Sequence, residues 1–394
     1  MNFNKMKVID FLDRIIKGGL VFWVFSIPIS IGAMNTLAAF LFLLFFVNII
    51  LGKRYNFFDN KISKSVLLFS SFILISSIWA FNYFIVIDEF VSSTMSYLLM
   101  YFLVINIIEE DDIKRILVFY WVSTFIASGF AGYQHFMLDI KRATGFTHNP
   151  NRLGASMMMF IVFNFSILLF SKIKYTKMVS ALGLIFGFAG LFSSLSRSSL
   201  ISTIIALFVI SIIKNKKNIY IYLTLMLLLF LVLPEDYKLR LIQLSDLQSH
   251  NVNQRLLMYK SGIKIFFDNF LLGIGFNNVE LIYKYYDLSQ ITYNHVHLHN
   301  IFINFAVELG LLGMSGLIYL LYKVLEINVL SIMQKSNFLN IGVLGIILAQ
   351  FSYNMVDANF HAPEVALIFV FFVSIMIKQF DLLKTKSISN GGGI

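Results

Sequence analysis

The stretch NHVHLHNIFINFAVELGLLG, residues 294–313, sets His295, His297 and His299 at every second position and then runs into an apolar pattern. Three imidazoles at that spacing allow two chemistries. In an extended strand all three share one face, a geometry suited to zinc, whereas in a helix His295 and His299 share a face and His297 turns away. No Asp or Glu lies between Thr292 and Val307, so the set lacks a nearby carboxylate and no metal is expected. The other chemistry is proton transfer, because an imidazole titrates near neutral pH and can take a proton from a hydroxyl nucleophile. His299 is best placed for it. It immediately precedes Asn300 at the start of an apolar run, where an Asn side chain can cap the free amides of a first helical turn. A dipeptide that only caps is the plainer alternative. Glu308, nine residues beyond His299 and inside the apolar run, asks for a partner, either an arginine or a protonated histidine.

Basic residues in unexpected places give the second signal. Lys141, Arg142 and Arg152 fall in KRATGFTHNPNRLG, and Arg197 sits in SSLSRSSL, between two apolar runs with mainly Ser around it. An arginine costs about 2.5–3.5 kcal/mol at the centre of a membrane helix, so one squeezed between spans asks for an anionic partner. Snorkelling to lipid phosphate or pairing with a loop carboxylate is the plainer reading of Arg197. Arg255 in NQRLLMYKSG, taken alone, reads as a solvated surface residue. Together with Arg142 and Arg197 it suggests a cluster of guanidinium forks, which bind phosphate oxygens in pairs. At a membrane surface such a cluster implies a phosphorylated lipid.

The elements that must position these groups are membrane helices. Of 394 residues, 58% are hydrophobic and 13% charged, with 43 Phe, which is far too apolar for a soluble globular protein. Apolar runs of membrane-spanning length recur from end to end. They predict about twelve transmembrane helices, at 19–34, 36–51, 65–81, 90–108, 113–133, 152–170, 178–195, 198–213, 218–233, 300–322, 338–353 and 364–379. The fold class is therefore all-α, a single integral membrane domain over 1–394. Lys and Arg collect in alternate loops, at Lys5, Lys7, Arg14 and Lys17, then Lys53, Arg54, Lys61 and Lys64, then Lys172, Lys174 and Lys177, then Lys214, Lys216 and Lys217. The positive-inside rule makes those ends, and both termini, cytoplasmic. The net charge of +10 thus reads as topology and not as nucleic-acid binding. The first span would serve as its own insertion signal, and the absence of Cys excludes thiolate chemistry.

One outer loop, 234–299 between the ninth and tenth spans, is much longer than the rest. Within it Leu256, Leu257, Ile263, Phe266, Phe267 and Phe270 recur at near-helical spacing, predicting an amphipathic helix on the outer membrane surface. All seven histidines, His135, His148, His250, His295, His297, His299 and His361, fall on the outer side of this topology. Gly310, Gly313 and Gly316 read as a close helix-packing surface. The glycines of GIGFNN, residues 273–278, lack the strand and helix context of a dinucleotide site, and EEDDIKR, residues 109–115, reads as a structural helix start.

Four motifs in this order, HNPN before a span, SRSSL opening another, QRLLMYKSGIKIF in the large loop and HVHLHNIFINFAVELGLLG entering a span, resemble the O-antigen ligase and polymerase superfamily of bacterial inner membranes. The resemblance covers about residues 140–320 by motif. It implies a metal-independent, inverting glycosyltransferase of lipopolysaccharide biosynthesis, working without a cofactor at the periplasmic face of the inner membrane. A ligase of this kind passes a glycan from undecaprenyl diphosphate to the lipid A core. By resemblance His299 is the base that activates the acceptor hydroxyl. Arg197, Arg255 and, less distinctively, Arg142 hold the donor diphosphate, with His297, Asn300 and Glu308 in support. RLLMYKSGIKIF with VHLHN looks closer to ligases, and an O-antigen polymerase is the alternative within the superfamily. A multi-span transporter is the alternative from another class, but no internal repeat is visible and the polar groups gather at one face.

Overall fold

The computed structural model describes residues 3–58, 61–215, 219–220, 222–223, 235, 238, 250–288 and 297–389. All regular structure among them is helical. In chain order the helices are α1 (Phe3–Ser26), α2 (Ile31–Ile50), α3 (Lys61–Ile75), α4 (Tyr83–Glu89), α5 (Met95–Ile107), α6 (Glu110–Phe136), α7 (Pro150–Phe170), α8 (Lys174–Ser194) and α9 (Arg197–Lys214). After the next gap come α10 (His250–Asp268), α11 (Val279–Tyr283), α12 (Ile301–Gln334), α13 (Phe338–Asn354) and α14 (Pro363–Ser389).

Eight of these segments are long and apolar enough to cross a membrane: α2, the run Tyr83–Ile107, α6, α7, α8, α9, α12 and Pro363–Thr385. Two shorter apolar helices, Ile62–Ile78 and Phe338–Asn354, accompany them. The protein is thus a multi-pass membrane protein. Most of the expected span 218–233 lies outside the described residues, as do 234, 236–237, 239–249 and 289–296 of the loop 234–299, His295 among them, and the side chain of His250. Two boundaries differ from the reading of the sequence. The turn between the first two helices falls at 27–30, not at 35, because Ser30 caps α2 by accepting from the Ala33 amide. The fourth span starts at Tyr83 instead of 90, with a π-helical turn at Phe90–Thr94 joining α4 to α5.

Burial explains the centre. α7 is almost wholly enclosed, and α8 packs on it through small residues. A Cβ at Gly187 would lie 2.8 Å from Ile161, and one at Gly190 3.0 Å from Met157. The acidic start of α6 is structural, as its sequence implied: Glu109 and Asp112 form a capping box, and Lys17 pairs with Glu109 at 2.7 Å and Asp112 at 3.2 Å.

The segment 270–278 has a role that sequence reasoning missed. α12 is interrupted at Gly310, where the backbone takes φ +63 and ψ −166, conformations open to glycine. Carbonyls exposed there accept from the loop: Ile274 N–H donates to Val307 O at 3.0 Å and Gly275 N–H to Glu308 O at 2.9 Å. In return Leu311 N–H donates to Phe270 O at 2.8 Å. Gly273 and Gly310 face each other so closely that a Cβ on either would come within 2.6 Å of the other's nitrogen. The loop also grips the α3–α4 corner, since Asn82 N–H donates to Asn278 Oδ1 at 2.8 Å and Trp79 Nε1–H to Leu272 O at 3.0 Å. Gly310 therefore breaks a helix to receive a backbone clasp, whereas the sequence pattern suggested simple helix packing. Of its two companions, Gly313 does pack closely, against Phe72 of α3.

Candidate active site

The clasp sets α10 across the start of α12. One face of α10 buries Met258, Ser261 and Ile265, and Gly262 lets it approach Leu298 and Ile303, on either side of His299. The opposite face exposes Leu256, Ile263, Phe267 and, just past the helix end, Phe270, an apolar stripe at helical spacing. Tyr259 reaches from α10 to donate its hydroxyl proton to the His299 carbonyl at 3.1 Å. Arg255 lies one turn earlier on the same helix.

His299 itself stands in the left-handed region, φ +50, which a non-glycine residue rarely adopts. The turn is held from several sides. Asn300 caps α12, accepting from Phe302 N at 3.0 Å and Ile303 N at 3.1 Å, and donates to the Met355 carbonyl at 2.8 Å. Leu298 is fully buried beside it. What the turn presents is the imidazole, whose Nδ1 lies 2.9 Å from Oδ1 of Asp357, in the link between α13 and α14.

Asp357 is the centre of the site and was not anticipated. Its oxygens accept from His299, from Tyr353 Oη–H at 3.1 Å, from Asn151 Nδ2–H at 3.3 Å and from the Ala358 amide at 2.9 Å. Burial pushes its carboxyl up. The bond from His299, the charges of His299 and Arg255 and the Ala358 amide outweigh it, so the group ends lowered to about 2. At neutral pH Asp357 is a carboxylate and can only accept, so His299 must place its proton on Nδ1. In the neutral imidazole Nε2 then carries the lone pair. A buried carboxylate fixing a histidine in that tautomer is the arrangement of a general base.

The arginines arrive from separate elements. Arg142, in the link between α6 and α7, donates from Nη2 to Asn151 Oδ1 at 2.8 Å, and Asn151 is itself bonded to Asp357. The Arg255 charge bears on Asp357 and Tyr259. Arg197 is the first residue of α9, directly after Ser196, whose hydroxyl is bonded to Tyr353. Serines allow this tight turn, since Gly154 of α7 packs so near that a Cβ there would lie 2.6 Å from Ser196 Cβ. The N-terminus of a helix is also where backbone amides favour an anion. Arg152 takes a different part, pairing with buried Glu364 at 3.3 Å.

His297 places its ring 4.9 Å from His299 and stacks on His361 at 5.5 Å. His361 is driven down to about 3, by burial first and then by the charge of His297, so it stays neutral. Glu308 is buried and accepts from Asn304 at 2.7 Å, and no arginine or histidine among the described residues is bonded to it. His297, His299 and Asp357 bring one possible ligand atom each within 4.8 Å of one another. A cation there would compete with the four hydrogen bonds already on Asp357 and with the positive charge of Arg255, so the donor set suits a His–Asp pair better than a metal. Beside the site lies an apolar cavity of about 210 Å³ between α3, α5, α12 and α14, with Glu89 and His361 among the few polar groups lining it.

Residues 182–318 match the family described as O-antigen ligase. Over those residues, about a third of its length, the chain is similar to that family. No curated protein matches the sequence. The O-antigen ligase match takes in Arg197, Arg255, His297, His299, Asn300 and Glu308. The match supports a likeness to membrane glycosyltransferase-like ligases and polymerases. Arg142, Asn151, Asp357 and His361 lie outside the matched residues, and the fold brings them to that region.

Proposed function

We propose that the protein is an O-antigen ligase of lipopolysaccharide biosynthesis, a metal-independent inverting transferase acting at the periplasmic face of the bacterial inner membrane. Its donor is a glycan on undecaprenyl diphosphate, and its acceptor a hydroxyl of the lipid A core. In this reading both termini are cytoplasmic, 1–394 forms one membrane domain, and 234–299 is a large periplasmic loop between the ninth and tenth spans. The observation that carries the proposal is the buried Asp357 carboxylate holding His299 through Nδ1, with Arg142 linked to it through Asn151 and the charge of Arg255 bearing on it.

The chemistry follows from that pair. His299 Nε2 takes the proton of the acceptor hydroxyl as its oxygen attacks the anomeric carbon of the donor. The bond from that carbon to the diphosphate oxygen breaks on the opposite face, which inverts the configuration. Arg197 and Arg255, with Arg142, meet the negative charge that develops on the departing diphosphate, where fixed cations lower the barrier most. Asp357 stabilises the imidazolium so formed. The apolar cavity beside the site suits the hydrocarbon of a lipid carrier.

The test is the lipopolysaccharide pattern of a deletion strain. An O-antigen ligase predicts uncapped lipid A core with polyprenyl-linked polymer accumulating. Loss of long polymer, or its collapse to a single repeat unit on the core, would indicate the polymerase instead.

A further inference from the structure

Asn304 lies one turn into α12 and is completely buried, in a membrane helix where an apolar residue would pack at no polar cost. Every polar atom of its side chain is used. Its Oδ1 accepts from the Leu298 amide at 3.1 Å, reaching back past the cap residue to the peptide that leads into His299. Its Nδ2 donates to Glu308 Oε1 at 2.7 Å and lies 3.2 Å from Nε2 of His361. His361 stacks on His297, and His297 abuts His299. The amide of Asn304 thus meets the base on two sides, through the backbone on one and through a stack of rings on the other.

We infer that Asn304 is a positioning residue for transfer: it holds the left-handed turn that aims His299 Nε2 at the acceptor hydroxyl. The inference rests on the proposed role of His299. A side chain with both a carbonyl and an amide is needed, since Leu298 N–H requires an acceptor and Glu308 a donor. Glu308 serves as the anchor, set just before the helix break that the 270–278 clasp fixes. Without Asn304 the turn has lost its inner tie while every group that would touch substrate remains. Misplacement of a reacting group by about 1 Å can cost on the order of 10²-fold in rate.

The test is release of polyprenyl diphosphate from a lipid-linked glycan donor by the purified full chain in detergent, with core-lipid acceptor. Asn304→Ala should lower kcat at least tenfold with KM for both substrates within twofold. The exchange Asn304→Asp with Glu308→Gln keeps the acceptor for Leu298 and reverses the donor of the second bond, and neutral His361 can carry its proton on Nε2 to donate to the new carboxylate, so the exchange should recover most of the rate. Asn328→Ala removes another fully buried asparagine of α12, bonded to the Asn340 carbonyl, and should leave kcat near that of the unaltered protein. Wild-type turnover by Asn304→Ala, a loss matched by Asn328→Ala at equal folded protein, or no recovery by the exchange would overturn the inference. Wild-type turnover by His299→Ala would overturn the base assignment itself, and this inference with it.

Discussion

At the scale of single residues the account turns on Asp357. Asp357→Asn keeps the shape but offers His299 Nδ1–H a weaker neutral acceptor, or donates to it and selects the wrong tautomer. Transfer should fall by on the order of 10²-fold or more with donor binding retained, as measured by kcat and KM on purified protein. Arg197→Lys should also be badly impaired, since a point charge replaces a fork that can hold two phosphate oxygens, and a titration of binding by a lipid diphosphate should show it. His299 and the arginines stand out as candidates in the sequence, because a histidine before an apolar run and an arginine between two runs are locally anomalous. Asp357 could not. It stands 58 residues from His299 in a short polar link where an aspartate is unremarkable, and only the meeting of α12 and α13 ends gives it a role.

Elements position these groups, and glycine is where the sequence signal was misleading. Repeats of Gly at every third residue commonly mark helix packing, yet Gly310 carries a positive φ, and a Cβ on it would lie 2.5 Å from the Leu271 backbone. Gly310→Ala should therefore destabilise the protein by about 2 kcal/mol or more and loosen α10 from α12, seen as faster hydrogen exchange in 256–275. The cap at Asn300 and the amphipathic α10 were legible, because capping and helical periodicity are local properties. The clasp was not, because its bonds join backbone atoms, which carry no residue code. The link Asn359–His361 adds a pH dependence. His361 is lowered to about 3, so as pH falls below the ordinary histidine value of 6.5 the unfolded chain takes up a proton that the folded one refuses. Stability should fall from about pH 6.5 toward pH 3, and thermal unfolding of His361→Gln should show a flatter profile over that range.

For the whole molecule, composition and hydropathy sufficed for a multi-pass helical protein, since a bilayer leaves few alternatives to apolar helices. They did not separate a continuous helix from one with a π-turn or a break, as in Tyr83–Ile107 and α12, because both kinds of irregularity keep the segment apolar. The central claim is that the His299–Asp357 pair drives glycosyl transfer without a metal. Its most direct test uses the purified full chain in detergent with a polyprenyl-diphosphate-linked glycan, core-lipid acceptor and excess chelator, with no membrane gradient. Coupled glycolipid is expected at an undiminished rate from the unaltered protein and none from His299→Ala. Abolition of transfer by the chelator, or near-normal transfer by His299→Ala, would contradict it.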